Sequence, residues 1–536
     1  MKKILKQIAV LAVATPMLTG CIEETFPTSG VTTEQVTESS KSLESIVKGM
    51  PAYMKQYHIW STNAFDFGYP SVFIALNVMT NDMIQPYNGY QHFMYWQQAQ
   101  ISLDPDYLLS QINWYYLNFQ VKAANEVIGM LVEPKSDAEV RYLAEALAYR
   151  ASTYIDMARI YEFLPNETIS GVNSLGNDVT GLTVPYVTPE MTSEELTNNP
   201  RQPHEAMSAK LIADLTRAEE LFQSTSSVRE SKVFPDLAVV YGLMARVYMW
   251  DENYPKAAEY ARKAISTGSY SPLTQSEWFD KSNGFNNSSF NSWMWAIQYE
   301  SNDDPVVSGQ NANWTSFMSP ECNIGYSGQR GCNMMIDAAL YTSINDADWR
   351  KLSWKAPTGS ALSGQEPFIN ASKGSSIMTY AGIKFRPGGG ELADRSVTFA
   401  TAIPLMRIEE MYLIEAEAVA HTNPAQGKQL LESFMQNYRY PTYSCLASDT
   451  EGVIDECFKQ KRIEFWGENV IFFDYKRLNK GVTRAYSGTN WPAEAQFNTN
   501  GRPGWMNLPF VEYEGNFNKG VEGYLNPAVG DKFKPA

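Results

Sequence analysis

Few residues in this chain of 536 could carry acid–base or metal chemistry. It holds four histidines and five cysteines, and neither a Cys-x-x-Cys nor a His-x-x-x-His spacing occurs, so the sequence offers no zinc site. The paired acids Glu409 and Glu410 suggest a hydrolase, because glycosidases use two carboxylates about 5 to 9 Å apart. Adjacent residues on a helix diverge by about 100° and do not converge on one bond. We therefore expect a protein without catalytic residues, and not an enzyme.

Acidic residues also fall in predicted loops, at Asp303-Asp304 and at Asp346 and Asp348. Their oxygen atoms would suit Ca²⁺, but their spacing is not that of an EF-hand. We expect no cofactor, and a structural calcium ion stays open only as an alternative.

Four cysteines form two local pairs. Cys322 and Cys332 are ten residues apart, and Cys445 and Cys457 are twelve apart. In an oxidising compartment each pair could close a disulfide. Free buried thiols fit the same spacing, and the sequence does not decide between the two.

The N-terminus predicts export of the protein. Three lysines among the first six residues precede an apolar stretch that is too short to span a membrane. Leu18-Thr19-Gly20-Cys21 then resembles a bacterial lipobox. Residues 1–20 would accordingly be a signal peptide, and Cys21 would carry the lipid that anchors the protein. The alternative is an ordinary signal peptide followed by an incidental cysteine.

The residues after Cys21 predict a surface-exposed tether. Ile22-Glu23-Glu24 resembles the export signal of Bacteroidetes surface lipoproteins, and residues 21–40 are rich in Thr, Ser and Glu, which is typical of a flexible linker. The expected location is the outer membrane, with the protein facing the cell exterior.

Composition narrows the class of partner. The 43 Lys and Arg residues are outnumbered by 59 Asp and Glu, which gives a formal net charge of -16. Such a surface repels phosphate backbones, so we expect no nucleic-acid partner. Hydrophobic residues make up 44% of the chain, which is enough to bury a core.

Several segments of the chain show helical periodicity. The clearest unit, residues 237–268, has two helices that are rich in Ala and Tyr, with Gly268 as the stop. Small residues beside aromatic ones are typical of tetratricopeptide helix pairs. The other predicted helices are 108–130, 139–161, 403–420, 424–438 and 454–466.

The segment from about 271 to 402 has a different composition. It is rich in Asn, Ser, Gly and Trp and predicts a large irregular insertion, the kind of region that often carries binding function. Within it, the alternation of Trp293 and Trp295 indicates a strand with one of the two indoles facing the core.

The order of several sequence blocks resembles the RagB/SusD family of Bacteroidetes nutrient-binding lipoproteins. The blocks are Glu145–Tyr154, Tyr241–Ala264, Ile344–Lys351, Ile403–Ala418 and Lys461–Leu478. The usual Glu-Arg opening of the last block is here Lys461-Arg462, a mild departure from the family pattern.

The resemblance implies a mostly α, SusD-like fold in one domain, residues 41–536. Its tetratricopeptide-like scaffold would comprise about 105–270 and 403–478 and would face the transporter. The insertion at about 271–402, with few short strands, would face the ligand. Acidic and basic residues of the scaffold blocks are expected to form buried ion pairs, among them Arg407, Glu415, Glu417, Arg462, Glu464 and Asp474.

The resemblance also implies the function. The protein would bind an oligosaccharide or polysaccharide without cleaving it, and deliver it to a SusC-like TonB-dependent outer-membrane transporter. A peptide-binding or scaffolding partner of such a transporter is the alternative. A surface glycosidase is disfavoured because the chain has no convincing acid pair.

Two segments combine aromatic rings with polar side chains, as sugar binding requires. In the first, the resemblance favours Asp82, Asn88, Tyr90 and Trp96 as ligand contacts. The second contributes Asn313 and Trp314, followed by Tyr326 beside Cys322. The alternative for each of these aromatic residues is an ordinary place in the core.

Overall fold

The structure is a computed structural model that describes residues 40–57, 64–87, 92–99, 103–309 and 311–527. The chain divides into two compact units, Met1–Glu44 and Ser45–Ala536. The signal peptide, Cys21 and all but the last residue of the predicted tether lie outside the described residues.

Helices make up most of the regular structure, as predicted. In chain order they are α1 Ser40–Tyr53, α2 Tyr69–Val78, α3 Met94–Gln98, α4 Leu108–Met130, α5 Asp137–Tyr161, α6 Ser193–Leu196, α7 His204–Ser224, α8 Leu237–Trp250, α9 Tyr254–Ser266, α10 Gln275–Trp278, α11 Asp304–Val307, α12 Trp314–Met318, α13 Gly325–Arg330, α14 Ala338–Ser343, α15 Arg395–Thr398, α16 Ile408–Ala420, α17 Pro424–Tyr438, α18 Thr450–Glu464, α19 Ile471–Arg477 and α20 Glu512–Phe517.

Short 3₁₀ turns complete the helical elements. They are Trp349–Ser353, Ala371–Ser376, Gly388–Gly390, Ala493–Ala495, Gly504–Met506 and Lys519–Val521. Most of them lie in the insertion or after residue 490, where the sequence is rich in Gly and Asn and predicts irregular structure.

The scaffold is built from helix hairpins. Helix α4 packs on α5, α8 on α9, and α16 on both α9 and α17. Side-chain caps set the starts of these helices: Ser136 accepts a hydrogen bond from the Glu139 amide, and Asp236 accepts one from the Val239 amide. The predicted tetratricopeptide-like pair is therefore present, as α8 and α9.

Small residues set how closely the hairpins pack. A Cβ on Gly427 of α17 would lie 2.6 Å from both Cα and Cβ of Ala420 on α16, and one on Gly242 of α8 would lie 2.4 Å from the Met406 sulfur. Both glycines therefore occupy points where two elements touch without room for a methyl group.

Two small antiparallel sheets link distant parts of the chain. Strand β1, Met83–Ile84, pairs with β3, Met335–Ile336, and β2, Trp293–Gln298, pairs with β4, Ala402–Arg407. The helix predicted from residue 403 is wrong in its first turn, because residues 402–407 form β4 and the helix begins at Ile408. A partner strand more than 100 residues away overrides the local apolar pattern.

The strand predicted around Trp293 is present, but both of its indoles are buried. Trp293 is 0% and Trp295 1% exposed. Met294 and Ala296 between and after them are also buried, so both faces of β2 are covered and the expected alternation of buried and exposed side chains fails.

The polar residues of the scaffold blocks form buried ion pairs, as predicted. Glu464 lies at the centre: its carboxylate pairs with Arg350, Arg407 and Arg439 at 2.9, 3.1 and 2.7 Å. Glu417 likewise pairs with Lys461 at 2.6 Å. All of these side chains are nearly inaccessible to solvent. The attraction of an oppositely charged partner offsets the desolvation cost of each charge.

Candidate functional site

The two segments predicted to contact sugar meet in one aromatic cluster, which consists of Phe65, His92, Phe93, Trp96, Phe317 and Tyr326. The Phe93 and Phe317 rings join the segments, with centroids 5.2 Å apart. His92 and Tyr326 form a second junction at 4.2 Å. The two segments that the sequence identified lie more than 200 residues apart in the chain, and the fold brings them into contact.

Helices α12 and α13 hold Tyr326 in place. Asn313 caps α12 by accepting a hydrogen bond from the Ser316 amide at 2.9 Å, and the Ser316 hydroxyl accepts one from the Tyr326 amide at 2.9 Å. Gly325 has φ +85°, and a Cβ there would lie 2.9 Å from the Ser316 Cα. A residue with a side chain at 325 would therefore push the two helices apart.

Trp96 and Trp314 form part of the core instead of facing solvent. Trp96 is 1% exposed and packs edge-on against Phe65 at 5.5 Å. Trp314 is 2% exposed and packs against Phe385 at 5.1 Å. In this conformation neither indole offers a face on which a sugar could stack, so their predicted role as ligand platforms gains no support from the structure.

Asp82 and Asn313 make structural contacts. Arg462 pairs with Asp82 at 2.6 Å, and the Tyr475 hydroxyl donates to the same carboxylate oxygen at 3.0 Å. Burial raises the pKa of Asp82, although Arg462 opposes that shift. Asn313 is buried as the cap of α12. Neither side chain is positioned at the surface of the site.

The accessible edge of the aromatic cluster is formed by His92 and Tyr326, both half-buried. Tyr326 stacks on Phe317 with centroids 5.0 Å apart and an 18° angle between the planes, so its ring is held flat. Burial lowers the pKa of His92 to about 4, and the imidazole is therefore neutral at physiological pH. Tyr87, 66% exposed, and Tyr95, 38% exposed, belong to the same segment.

Polar groups gather around the residues between α11 and α12, just before Trp314. The Tyr57 and Ser308 hydroxyls share a hydrogen bond of 2.6 Å, and Arg395 donates to the Asn311 side-chain oxygen at 2.9 Å. Asn311 in turn accepts from the Asn313 amide through its carbonyl. Sequence reasoning missed His92, Tyr57 and Arg395, since no local pattern connects residues 92, 57 and 395.

Three of the predicted site residues cannot be placed. Asn88, Tyr90 and the lipidation site Cys21 lie outside the described residues, and their roles stay predictions.

The cysteines are not joined in the predicted local pairs. Cys322, Cys445 and Cys457 are free thiols, and all three are buried, as is Cys332. Burial raises the pKa of Cys322 to about 12 and that of Cys457 well above its usual value. The alternative of buried thiols is the one that the structure contains.

The described residues hold no group of three His, Cys, Asp or Glu side chains that could bind a metal ion. Three of the four acids considered for calcium have cationic partners: Asp303 pairs with Lys55, Asp346 with Lys351, and Asp348 with Arg350. In the same part of the chain, no helix has both the length and the apolar character needed to cross a membrane.

A separate cavity of about 630 Å³ opens in the helical scaffold, between α7, α8 and α19. His204 lies in its wall, with one ring nitrogen 2.7 Å from Glu162 and the other 3.2 Å from Asp251. Its ring packs against Trp250 at a centroid distance of 3.9 Å, with 36° between the two planes. Arg246 in the wall pairs with Glu410 at 2.7 Å. The cavity combines an aromatic surface with charges of both signs.

Residues 338–528 match the sequence model of the SusD family. This segment of the chain is similar to the SusD family. The match covers α14 to α20, and it therefore includes β4, the Glu464 ion pairs and the second half of the scaffold. No match was found among curated proteins.

Solved SusD-like structures share the fold over nearly the whole chain. A SusD-like carbohydrate-binding protein from Bacteroides vulgatus superposes with a TM-score of 0.70 at 20% identity, covering 91% of this chain and 98% of its own. Surface glycan-binding protein A from Bacteroides thetaiotaomicron, solved in complex with laminarihexaose, has a TM-score of 0.64 at 17% identity, covering 91% and 99%. At these identities the comparison supports the SusD fold and nothing about the ligand of this chain.

Proposed function

We propose that this protein binds an oligosaccharide or polysaccharide at the cell surface, without cleaving it, and passes it to a SusC-like TonB-dependent transporter. The observation that carries the proposal is the half-buried edge formed by His92 and Tyr326, whose rings lie 4.2 Å apart at an angle of 62°. Sugar rings stack their C–H faces on such rings, while hydroxyl groups bond to polar side chains such as Tyr57, Ser308 and Arg395. A related fold holds laminarihexaose.

The proposal includes an anchor at the outer membrane through lipid on Cys21, with the domain facing the cell exterior. It rests on the N-terminal sequence alone. The absence of catalysis is proposed because Glu409 and Glu410 point into different ion pairs, with Arg439 and Arg246 respectively, and share no common opening.

The test uses the full-length protein in detergent. We expect affinity electrophoresis to show retardation by one class among starch, laminarin, xylan, galactomannan and pectin, with no release of reducing ends. The Tyr326→Ala variant should bind about tenfold more weakly, the equivalent of about 1.4 kcal/mol, because it loses the stacking face.

The control is Tyr524→Ala, which removes a tyrosine that is 45% exposed on the C-terminal segment. Unchanged affinity in Tyr326→Ala would remove the site assignment. Truncating Trp96 or Trp314 is not a usable test, because removing a buried indole destabilises the fold by about 3 to 5 kcal/mol.

The scaffold cavity favours a second candidate function, the binding of a peptide or of a partner protein. Its mixed charges and the Trp250–His204 contact suit a polypeptide segment better than a neutral sugar. Binding of peptides in calorimetry, with no retardation by any polysaccharide, would favour this function over the first.

A further inference from the structure

Five aromatic side chains outside the aromatic cluster form a band at the surface. We call it the aromatic strip: Tyr53 on α1, Tyr115 and Phe119 on α4, and Tyr513 and Phe517 on α20. Phe517 is 70% and Tyr513 53% exposed, although large aromatic rings are usually buried. Exposed apolar groups that lie together generally mark an interaction site.

The rings of the strip lie in parallel pairs. Tyr513 and Phe517 have ring centroids 6.2 Å apart, with only 5° between their planes. At the other end, Tyr53 and Phe119 are also 6.2 Å apart, at 12°. Between these pairs, Tyr115 lies one helical turn before Phe119, so the two share a face of α4.

Two contacts connect α20 to α4. The Glu512 amide at the start of α20 donates to the Pro105 carbonyl, shortly before α4, at 3.1 Å. The Phe510 ring, just before α20, packs on Trp114 of α4 with centroids 4.9 Å apart. The two helices therefore hold their aromatic faces side by side.

The surface residues that α4 and α20 place beside the rings carry no aliphatic side chain, and the aliphatic neighbour from elsewhere is Leu525, which lies against Gly515 of α20. Between residues 111 and 122 of α4, the side chains that reach the surface are Gln111, Tyr115, Asn118, Phe119 and Lys122, and α20 itself contains no aliphatic residue. Gln111 and Asn118 donate to backbone carbonyls at 3.1 and 2.9 Å, which orients each amide and leaves its oxygen as an acceptor. Protein interfaces, in contrast, have a close-packed apolar centre.

One end of the strip lies close to the candidate site. Met54, the residue after Tyr53, accepts a hydrogen bond from the Tyr69 amide at 2.8 Å. Phe67, just before Tyr69, packs against Phe93 and Phe317 of the aromatic cluster, with ring centroids 6.3 and 5.9 Å apart. From the flat parallel rings, the oriented amides and this continuity, we infer that the aromatic strip is a second glycan-binding surface, which holds a neutral polysaccharide chain beyond the segment bound at the aromatic cluster. The inference rests on the proposed function.

The experiment compares long and short ligands. The full-length protein in detergent is run in gels containing whichever of the five polysaccharides retards it, and is titrated by calorimetry with the hexasaccharide of the same polymer. In the double variant Tyr513→Ala/Phe517→Ala, we expect affinity for the polymer to fall at least about fivefold. Affinity for the hexasaccharide should stay unchanged, because a short ligand occupies the aromatic cluster alone.

Leu446→Ala, which truncates a side chain that is 95% exposed elsewhere, is the matched control and should bind like the wild type. If the double variant binds the polymer within about twofold of the wild-type affinity, the strip inference is wrong. The proposed function would then still stand. Equal losses for hexasaccharide and polymer would also overturn the strip inference, since the change would then act through the cluster or the fold. So would intact polymer binding with loss of transporter co-purification, which would make the strip a protein interface.

If no polysaccharide retards the wild-type protein, the proposed function fails first and the strip inference fails with it. Suppose that Tyr326→Ala no longer binds the hexasaccharide but is still weakly retarded by the polymer. If adding Tyr513→Ala/Phe517→Ala then reduces that retardation further, the proposed function and the strip inference are both supported. The two failures are therefore distinguishable.

Discussion

His204 is a charged residue held between two carboxylates in the wall of the scaffold cavity. Burial by itself would lower its pKa, but the hydrogen bonds with Asp251 and Glu162 outweigh burial and raise the pKa to about 10. An unfolded histidine titrates near pH 6.5. Because the folded pKa is the higher one, the stability from His204 is complete below about pH 6.5 and is lost as the pH rises toward 10.

We therefore predict that His204→Gln lowers the melting temperature most at pH 6 and progressively less up to pH 10. Thermal unfolding of both proteins across this range is the measurement. His421→Gln serves as the control, since burial lowers the pKa of His421 and its imidazole is neutral throughout the upper part of the range. A His204→Gln deficit that does not vary with pH would show that the ring is uncharged.

At the scale of elements, the hairpins depend on close contacts between small residues. Gly427→Ala should lower the free energy of unfolding by about 1 to 3 kcal/mol, because its new methyl group would overlap Ala420 on α16. Gly49→Ala on α1 should instead raise it by about 0.5 to 1 kcal/mol, since only Tyr53 lies within 4.0 Å of the added carbon and alanine favours helix.

Urea unfolding of the two variants checks the contrast. Because both replacements are Gly→Ala within helices, they share the same propensity effect and differ only in available space. If both variants were more stable than the wild type, α16 and α17 could move apart at little cost in free energy.

The elements that could be predicted from sequence are those whose signals are local. The 3.6-residue period of the apolar residues, together with the turn between α8 and α9, predicted α4, α8 and α9 with nearly their observed bounds. Strand β4 was mistaken for helix because its pairing with β2 is remote in sequence. The same limit applied at the site: the aromatic segments were located, but the burial of Trp96 and Trp314 depends on Phe65 and Phe385, which come from elsewhere in the chain.

For the whole molecule, the ion pairs of Glu464 join three parts of the chain: the insertion through Arg350, strand β4 through Arg407, and the end of α17 through Arg439. Burial alone would raise the pKa of Glu464, but the three arginines hold it well below its usual value. This stability is present above the unfolded pKa of about 4.3 and is lost as the pH falls below it.

Glu464→Gln should reduce the free energy of unfolding by about 3 to 5 kcal/mol at neutral pH, because it leaves buried guanidinium groups without their shared partner. Asp455→Asn on the same helix is the control. It breaks the Asp455–Lys480 pair, whose aspartate is 49% exposed, and should cost at most about 1 kcal/mol. Chemical denaturation measures both, and equal small losses would mean that Glu464 is dispensable.

The Glu464 ion pairs also bear on the order of events in folding. Arg350, Arg407 and Arg439 lie 114, 57 and 25 residues before Glu464, whereas each helix hairpin forms between neighbours in the chain. Hairpins can therefore form early, but Glu464 gains its last partner only when the insertion has returned to the scaffold. Until then, Glu464 and its arginines are not fully paired, and their charges are more stable in water than when buried. A chain whose insertion has not docked therefore cannot complete its core. The ion pairs therefore couple the two parts of the fold, so that the insertion and the scaffold reach the native state together.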